Sequence, residues 1–317
     1  MTLLRWALPV ILTLAAASAM AADEDAPNRK PVKAVADSRI AVGTKGTLPL
    51  YVSSDWSKPE PDIVRAVIVL HGRLRNADVY YRSAKTAQAA AGAAGQATIM
   101  IVPQFLSQID VEAYHLPADT LRWTLEGWEG GDDATGPQPA SSFEALDAIL
   151  ARLADRKLFP NLRDVVVAGH SGGGQVVQRY AIAGRGEAPL TEAHIAVRYV
   201  VANPSSYAYF SDQRPELEIA ASCTGYDNWK YGMQARPDYL GQADAGRAGK
   251  SLCRAARDLP PRHGGHQPEP SGAGQELHGR GAGTLSLRAR PFLCRHDGQT
   301  RPRHPEPSPV RCRRRRP

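Results

Sequence analysis

Cysteine is scarce in this chain of 317 residues: there are four, and only Cys223 precedes residue 247. None of them is paired with a second cysteine or a histidine at the short spacing of a zinc site, so no metal centre is expected. Cys223 sits in SCTGYDNWKYG without a histidine or other base beside it and reads as a free or structural thiol, not a nucleophile. The G-x-x-x-x-G-K-[ST] loop is absent, and no G-x-G-x-x-G follows the first apolar strand, which removes the two commonest nucleotide-binding readings. No internal repeat is present. The N-terminal apolar run, Trp6 to Ala17, falls short of the ~20 residues a spanning helix needs. It follows Arg5 and precedes Ala19-Met20-Ala21, which together read as a secretory signal over residues 1–21. A secreted or periplasmic protein without a stable membrane anchor is therefore expected, in a compartment that allows disulfides.

Acidic residues are also missing from one end. Residues 247–317 hold 16 of the 39 basic residues but only 5 of the 32 acidic ones, so the formal net charge of +7 comes from this tail and the rest is acidic on balance. The tail also holds 10 of the 25 prolines and 5 of the 9 histidines, with almost no helical or strand periodicity. Such a composition builds no packed core and is expected to be disordered. An Arg- and Pro-rich arm can bind nucleic acid, but Phe292 is its one aromatic and base stacking needs more, so no nucleic-acid partner is expected. His263, His266, His278, His296 and His304 lack the pairing of metal ligands.

Residues 22–246 alternate as a doubly wound, mostly parallel α/β sheet should. Strands are expected at Ala66–Leu70, Thr98–Val102, Val165–Ala168 and Ala196–Val201, with helices around Ser83–Ala94 and at Ser142–Ala154. In the second helix Phe143, Leu146, Ile149, Leu150 and Leu153 share one face. Ser141 or Ser142 would cap it, with Glu144 in its first turn. Leu121–Gln138, with Trp123, Trp128 and Asp132-Asp133, reads as an irregular insertion, either a wall of the substrate cleft or an ordinary surface loop.

The chemistry concentrates in Asp164 to Tyr180, DVVVAGHSGGGQVVQRY. A β-branched run leads into Gly169-His170-Ser171-Gly172-Gly173 and then a helix-compatible segment, the strand–turn–helix context that a G-x-S-x-G nucleophile elbow requires. A serine hydroxyl is a weak nucleophile. It has to be held on an exposed, strained turn where a base reaches it and backbone N–H groups face the developing oxyanion. Gly169 and Gly173 let strand and helix approach, and the Gly172 N–H is the expected first oxyanion donor. The alternative is a glycine-rich loop that binds phosphate or only turns the chain, and the missing nucleotide motifs count against the phosphate form of it.

On these residues the chain resembles the α/β-hydrolase superfamily, in particular secreted esterase-like members, over about Arg65 to Gly246. RAVIVLHGRLRN, residues 65–76, adds a second likeness: an apolar strand ending at His71-Gly72, where the family places its second oxyanion loop. The resemblance implies that the backbone at Gly72-Arg73 supplies the second donor. The His71 ring reads as structural, tying the loop down.

An α/β-hydrolase of this kind needs Asp or Glu and then His after its serine. Before the tail the only histidine after Ser171 is His194, ahead of an expected strand and too early; Asp212, Asp227, Asp238 and Asp244 are acids without a clear leading strand. A reading frame that slips near Gly246–Arg247 accounts for the gap. Read one nucleotide forward, Arg262–Gly283 permits GTADTNPNHPALDKSCMAEAQG, the run before it permits VIYLLG, and the terminal VRCRRRRP permits YDVAGVGH. Strand, then G-T-A-D, then V-G-H is the order an acid and a base would take, and the new cysteine would be a disulfide partner for Cys223. The C-terminal strand and helix of the fold would then be missing from the chain as written.

These features point to a serine hydrolase acting on a small-molecule or acyl-ester substrate through Ser171, with no cofactor and with activity impaired by the lost acid and base. A serine peptidase, and a non-catalytic exported binding protein on the same fold, are the competing classes, since fold does not fix function.

Overall fold

A computed structural model describes residues 27–210 and 225–241. The expected leader at 1–21, the tail 247–317 with its histidines, all four cysteines, Asp212 and Asp244 lie outside the described residues.

The first strands among the described residues form an antiparallel ribbon, β1 (Ser38–Ala41) and β2 (Thr47–Val52), which no pattern in the sequence announced. Pro49 lies inside β2, and proline argues against a strand unless it sits at an edge or unpaired position; here its carbonyl accepts from the Gln104 N–H at 2.8 Å. β3 (Arg65–Leu70) follows, then α1 (Ala77–Ala90), a one-turn α2 (Ala93–Gln96) and β4 (Thr98–Pro103). α1 departs from the expected Ser83–Ala94: it begins six residues earlier and ends at Ala90, before Gly92 turns the chain at φ +56°. Val79, Tyr80 and Tyr81 hid that start, being weak helix formers. Packing overrides propensity, with Tyr81 stacked on Tyr51 at 5.2 Å and donating to the Val52 carbonyl at 3.1 Å.

Next come β5 (Leu106–Ser107), α3 (Gln108–Ala113) and β6 (Arg122–Trp123), the two short strands pairing parallel. α4 (Ser142–Ala154) has the expected bounds. All five residues of its apolar face are buried, and Ser141 caps it in a reciprocal box with Glu144. β7 (Asp164–His170), α5 (Gly172–Ala183), α6 (Glu187–Glu192) and β8 (Ala196–Ala202) complete the named elements. The four expected strands are all present, each extended by one to three residues.

The main sheet runs β1-β2-β4-β3-β7-β8, parallel from β4 to β8 and antiparallel at the β1–β2 end. β4 is buried at every residue, so both of its faces are covered; β3 and β7 alternate between buried and half-buried positions. α5 packs on β7, β8 and β3, and α1 on β4 and β3. The insertion 121–138 is not a surface loop. Trp123 and Trp128 are buried, the Trp123 indole donates to the Asp132 and Ala140 carbonyls, and the Ser142 hydroxyl donates to the Trp128 carbonyl. Indole area of that size drives the segment inward once its N–H groups find acceptors. Among the described residues no helix is long and apolar enough to cross a membrane.

Candidate active site

The register of the parallel strands sets the location. Leu70 lies opposite Gly169 and His170 opposite Ala202, so β3, β7 and β8 finish level, and the crevice beyond the carboxyl ends of such strands is where open α/β sheets bind ligands. Ser171 stands there, in the sharp turn between β7 and α5, at φ +58° and ψ −122°. A non-glycine residue in that region costs about 1–3 kcal/mol and persists only where its surroundings enforce it. Two bonds do so: the Ser171 N–H donates to the Ala202 carbonyl at 3.1 Å, and the Ser171 carbonyl accepts the Gln175 N–H at 3.1 Å. The side chain is half-buried, its Oγ 3.4 Å from the Ser205 hydroxyl.

The turn depends on its flanking glycines. A Cβ on Gly169 would lie 2.3 Å from the Gly173 carbonyl oxygen, and one on Gly173 would lie 2.3 Å from the Leu70 carbonyl oxygen. Strand and helix therefore meet backbone to backbone, as expected. His170, between them, is half-buried, with Nδ1 3.4 Å from the Tyr80 hydroxyl.

The loop after β3 comes to the same point. A Cβ on Gly72 would be 3.7 Å from Ser171 Cβ, and one on Gly172 would be 3.2 Å from the Arg73 backbone nitrogen. Ser171, Gly172, Gly72 and Arg73 are thus neighbours. His71 holds the loop: its ring is fully buried, Nδ1 faces the Gly72 carbonyl at 2.9 Å, and Nε2 accepts the Phe105 N–H at 3.0 Å. With one nitrogen accepting, the ring is neutral and carries its proton on Nδ1. Trp128 packs against it at 4.7 Å.

Burial pushes His71 down from its ordinary 6.5 to about 4. Because the folded value lies below the unfolded one, the unfolded chain takes up the proton first. Stability is full above about pH 6.5 and is lost as pH falls toward 4, by on the order of 3 kcal/mol. Urea midpoints at about pH 7 and about pH 4.5 are expected to fall steeply for the wild type and much less for His71→Gln. Equal slopes would refute the assignment.

A polar network below the turn went unforeseen. Glu129, in a single 3-10 turn at Gly127–Glu129, is fully buried. Its Oε2 accepts from Gln175 Nε2 at 2.7 Å, and its Oε1 lies 3.2 Å from Arg73 Nε. Arg73 also pairs with Glu126, and Lys230 reaches Glu126 at 3.4 Å and Glu129 at 3.8 Å. Burial raises the Glu129 carboxyl above its usual range against the pull of Arg73 and Lys230. Arg179, buried within α5, donates to Ser206 Oγ at 2.8 Å and to the Lys230 carbonyl. Burial lowers it to about 10, so it stays charged at neutral pH. Nothing local in GWEGGDD marks Glu129; only the fold brings it to Gly172.

The acid and base candidates fall elsewhere. His194 precedes β8 at the amino end of the sheet, the edge opposite Ser171, because Ala196 pairs with Asp164 at the start of β7. Asp227 sits in a turn at 225–230, and Asp238 opens the 3-10 turn Asp238–Leu240. No strand leads into either among the described residues. Among those residues no group of three or more His, Cys, Asp or Glu is arranged to hold a metal ion.

The strand order, the antiparallel ribbon at one edge and the strained serine turn between β7 and α5 define an α/β-hydrolase fold. No protein-family model matches the chain, and no curated protein matches it. Among solved structures it is similar to poly(aspartic acid) hydrolase-1 from Sphingomonas sp. KT-1, at 18% identity over 70% of this chain and 69% of that one, TM-score 0.41. It is also similar to a poly(3-hydroxybutyrate) depolymerase from Bordetella parapertussis, at 19% over 69% and 76%, TM-score 0.37. A third is an inhibited esterase B from Lactobacillus rhamnosis, at 15% over 73% and 65%, TM-score 0.29. At these values none of the three bears on what this chain does.

Proposed function

We propose that the protein is an exported serine hydrolase that transfers acyl groups from ester-like bonds to water through Ser171. The observation that carries this reading is the Ser171 backbone, held at φ +58° beside Gly172 and the Arg73 nitrogen. In the reaction Ser171 Oγ attacks the carbonyl carbon and gives its proton to a histidine. The carbonyl oxygen gathers negative charge against the N–H groups of Gly172 and Arg73, and the alcohol leaves with that proton. Water then attacks the acyl-serine by the same route and frees the acid. Each oxyanion donor contributes about a hundred- to a thousandfold in rate.

The histidine and its orienting aspartate belong, in this proposal, to the ending read one nucleotide forward of residue 247. DNA sequence across codon 246 tests that part, and early stops in the other frame would end it. A fluorophosphonate probe tests the chemistry. It is expected to label the frame-restored protein on one peptide, the one that carries Ser171; labelling elsewhere removes Ser171 from the chemistry, and none in the frame-restored protein favours a binding protein instead. Ester against amide preference is read from acyl p-nitrophenyl esters and peptide anilides, with esters expected to be cleaved.

A further inference from the structure

We infer that Glu129 is a positioning residue that fixes the distance between the Arg73 and Gly172 N–H groups, a role that rests on the serine-hydrolase reading above. A buried carboxylate is costly unless paired, so the partners it has indicate what it holds. Glu129 reaches two elements that carry the site's backbone, in each case through a side chain: Gln175 in the first turn of α5, at 2.7 Å, and Arg73 in the loop after β3, at 3.2 Å. The second contact is an ion pair by charge and distance without hydrogen-bond alignment; among the described residues no hydrogen bond reaches Glu129 Oε1 or Arg73 Nε. That same Oε1 lies 2.7 Å from where a Cβ on Gly172 would stand, and the Arg73 backbone nitrogen is 3.2 Å from that point. One carboxylate therefore reaches the loop through the Arg73 side chain and lies against Gly172 on the side that faces the Arg73 nitrogen. Residue 172 has no room for a side chain because the Glu129 carboxylate and Arg73 already fill it.

A negative charge next to a developing oxyanion would oppose it. Arg73 offsets that charge on one side and Lys230 on another, so the group can serve as a clamp without acting as a repelling charge. Positioning and repulsion predict opposite signs for the neutral isostere, which makes the test decisive.

The experiment follows phosphonylation of Ser171 in the 317-residue chain and in the frame-restored protein by a fluorophosphonate over a range of probe concentrations, with thermal unfolding recorded in parallel. Glu129→Gln keeps the shape and an acceptor for Gln175 but releases Arg73. It is expected to lower the maximal labelling rate about tenfold, part of the effect of losing a donor outright. The half-saturating concentration should stay within about twofold, because uniform binding is untouched. Arg73→Met should give a similar loss, and the double variant no more than the larger single loss, since the two act as one unit. A rate unchanged or raised in Glu129→Gln, additive losses in the double variant, or a loss accounted for by unfolded protein would overturn the role of Glu129 alone. Failure of the frame-restored wild type to label overturns the serine-hydrolase reading and this role with it.

Discussion

Restoring the reading frame after codon 246 and then replacing Ser171 by alanine is expected to lower kcat by about a millionfold, the loss seen when one member of a working triad is removed. The same substitution in the chain as written should change residual turnover little, because triad residues act as a unit and the proposed reading places their base in the other frame. What remains in either case comes from binding and from the oxyanion donors. Initial rates on an activated ester in four proteins, two frames with serine or alanine, check this directly. A large alanine effect in both frames would mean that the chain as written already holds its base, and no effect in either would remove Ser171 from the chemistry.

Much of this site was legible in the sequence because its constraints are local. A β-branched run, a glycine on either side of Ser171 and a helix-forming continuation fix the turn within ten residues, and the clashes a Cβ would meet at Gly169 and Gly173 explain why those positions read so clearly. α4 was equally legible, since its face repeats at helical spacing and its cap lies at its own N-terminus. The rest depends on contacts distant in sequence. Glu129 meets Gln175 46 positions away, and Arg75 meets Asp110 35 positions away. A charged residue destined for burial looks in sequence like any surface residue. Tryptophans in a glycine-rich stretch left the insertion undecided between cleft wall and surface, and only their acceptors, carbonyls of the same insertion, settle that it folds inward. The acid and base that the proposed reading places in the other frame belong to another category: no packing argument recovers residues that the described sheet does not contain.

The largest effect on stability is expected from Asp110→Ala, at about 3–5 kcal/mol, the range for breaking a fully buried ion pair from one side. Arg75 and Asp110 are both wholly buried. Arg75 Nε donates to Oδ2 at 2.7 Å and NH2 to Oδ1 at 3.1 Å. The carboxylate also accepts the Ser107 N–H and hydroxyl, each at 2.8 Å, and the Val32 N–H at 2.9 Å. These bonds hold its carboxyl below the usual range against the burial that would raise it. Arg75 goes on to donate to the carbonyls of Asn28, at 2.7 Å, and Lys30, at 3.0 Å, so the pair fastens the segment ahead of β1 to the loop after β3. Alanine at 110 strands a buried guanidinium and frees three donors at once, an imbalance costlier than the loss of the bonds themselves. Against a total of about 5–15 kcal/mol for a folded domain, that approaches unfolding. Arg75→Met should cost a similar amount, and Arg75→Met with Asp110→Ala clearly less than the two together, because the second change removes the charge the first left unpaired. Urea unfolding of the four proteins measures this cycle. Strict additivity, or a single-variant loss below about 1 kcal/mol, would mean that the pair sits in water more than its burial indicates. Arg75 is two residues beyond Arg73 and its N–H donates to the Gly72 carbonyl at 3.1 Å, so Asp110 also anchors the loop that brings the Arg73 nitrogen to Gly172. A variant that survives folding should therefore label more slowly with the fluorophosphonate as well, although residue 110 lies outside the site.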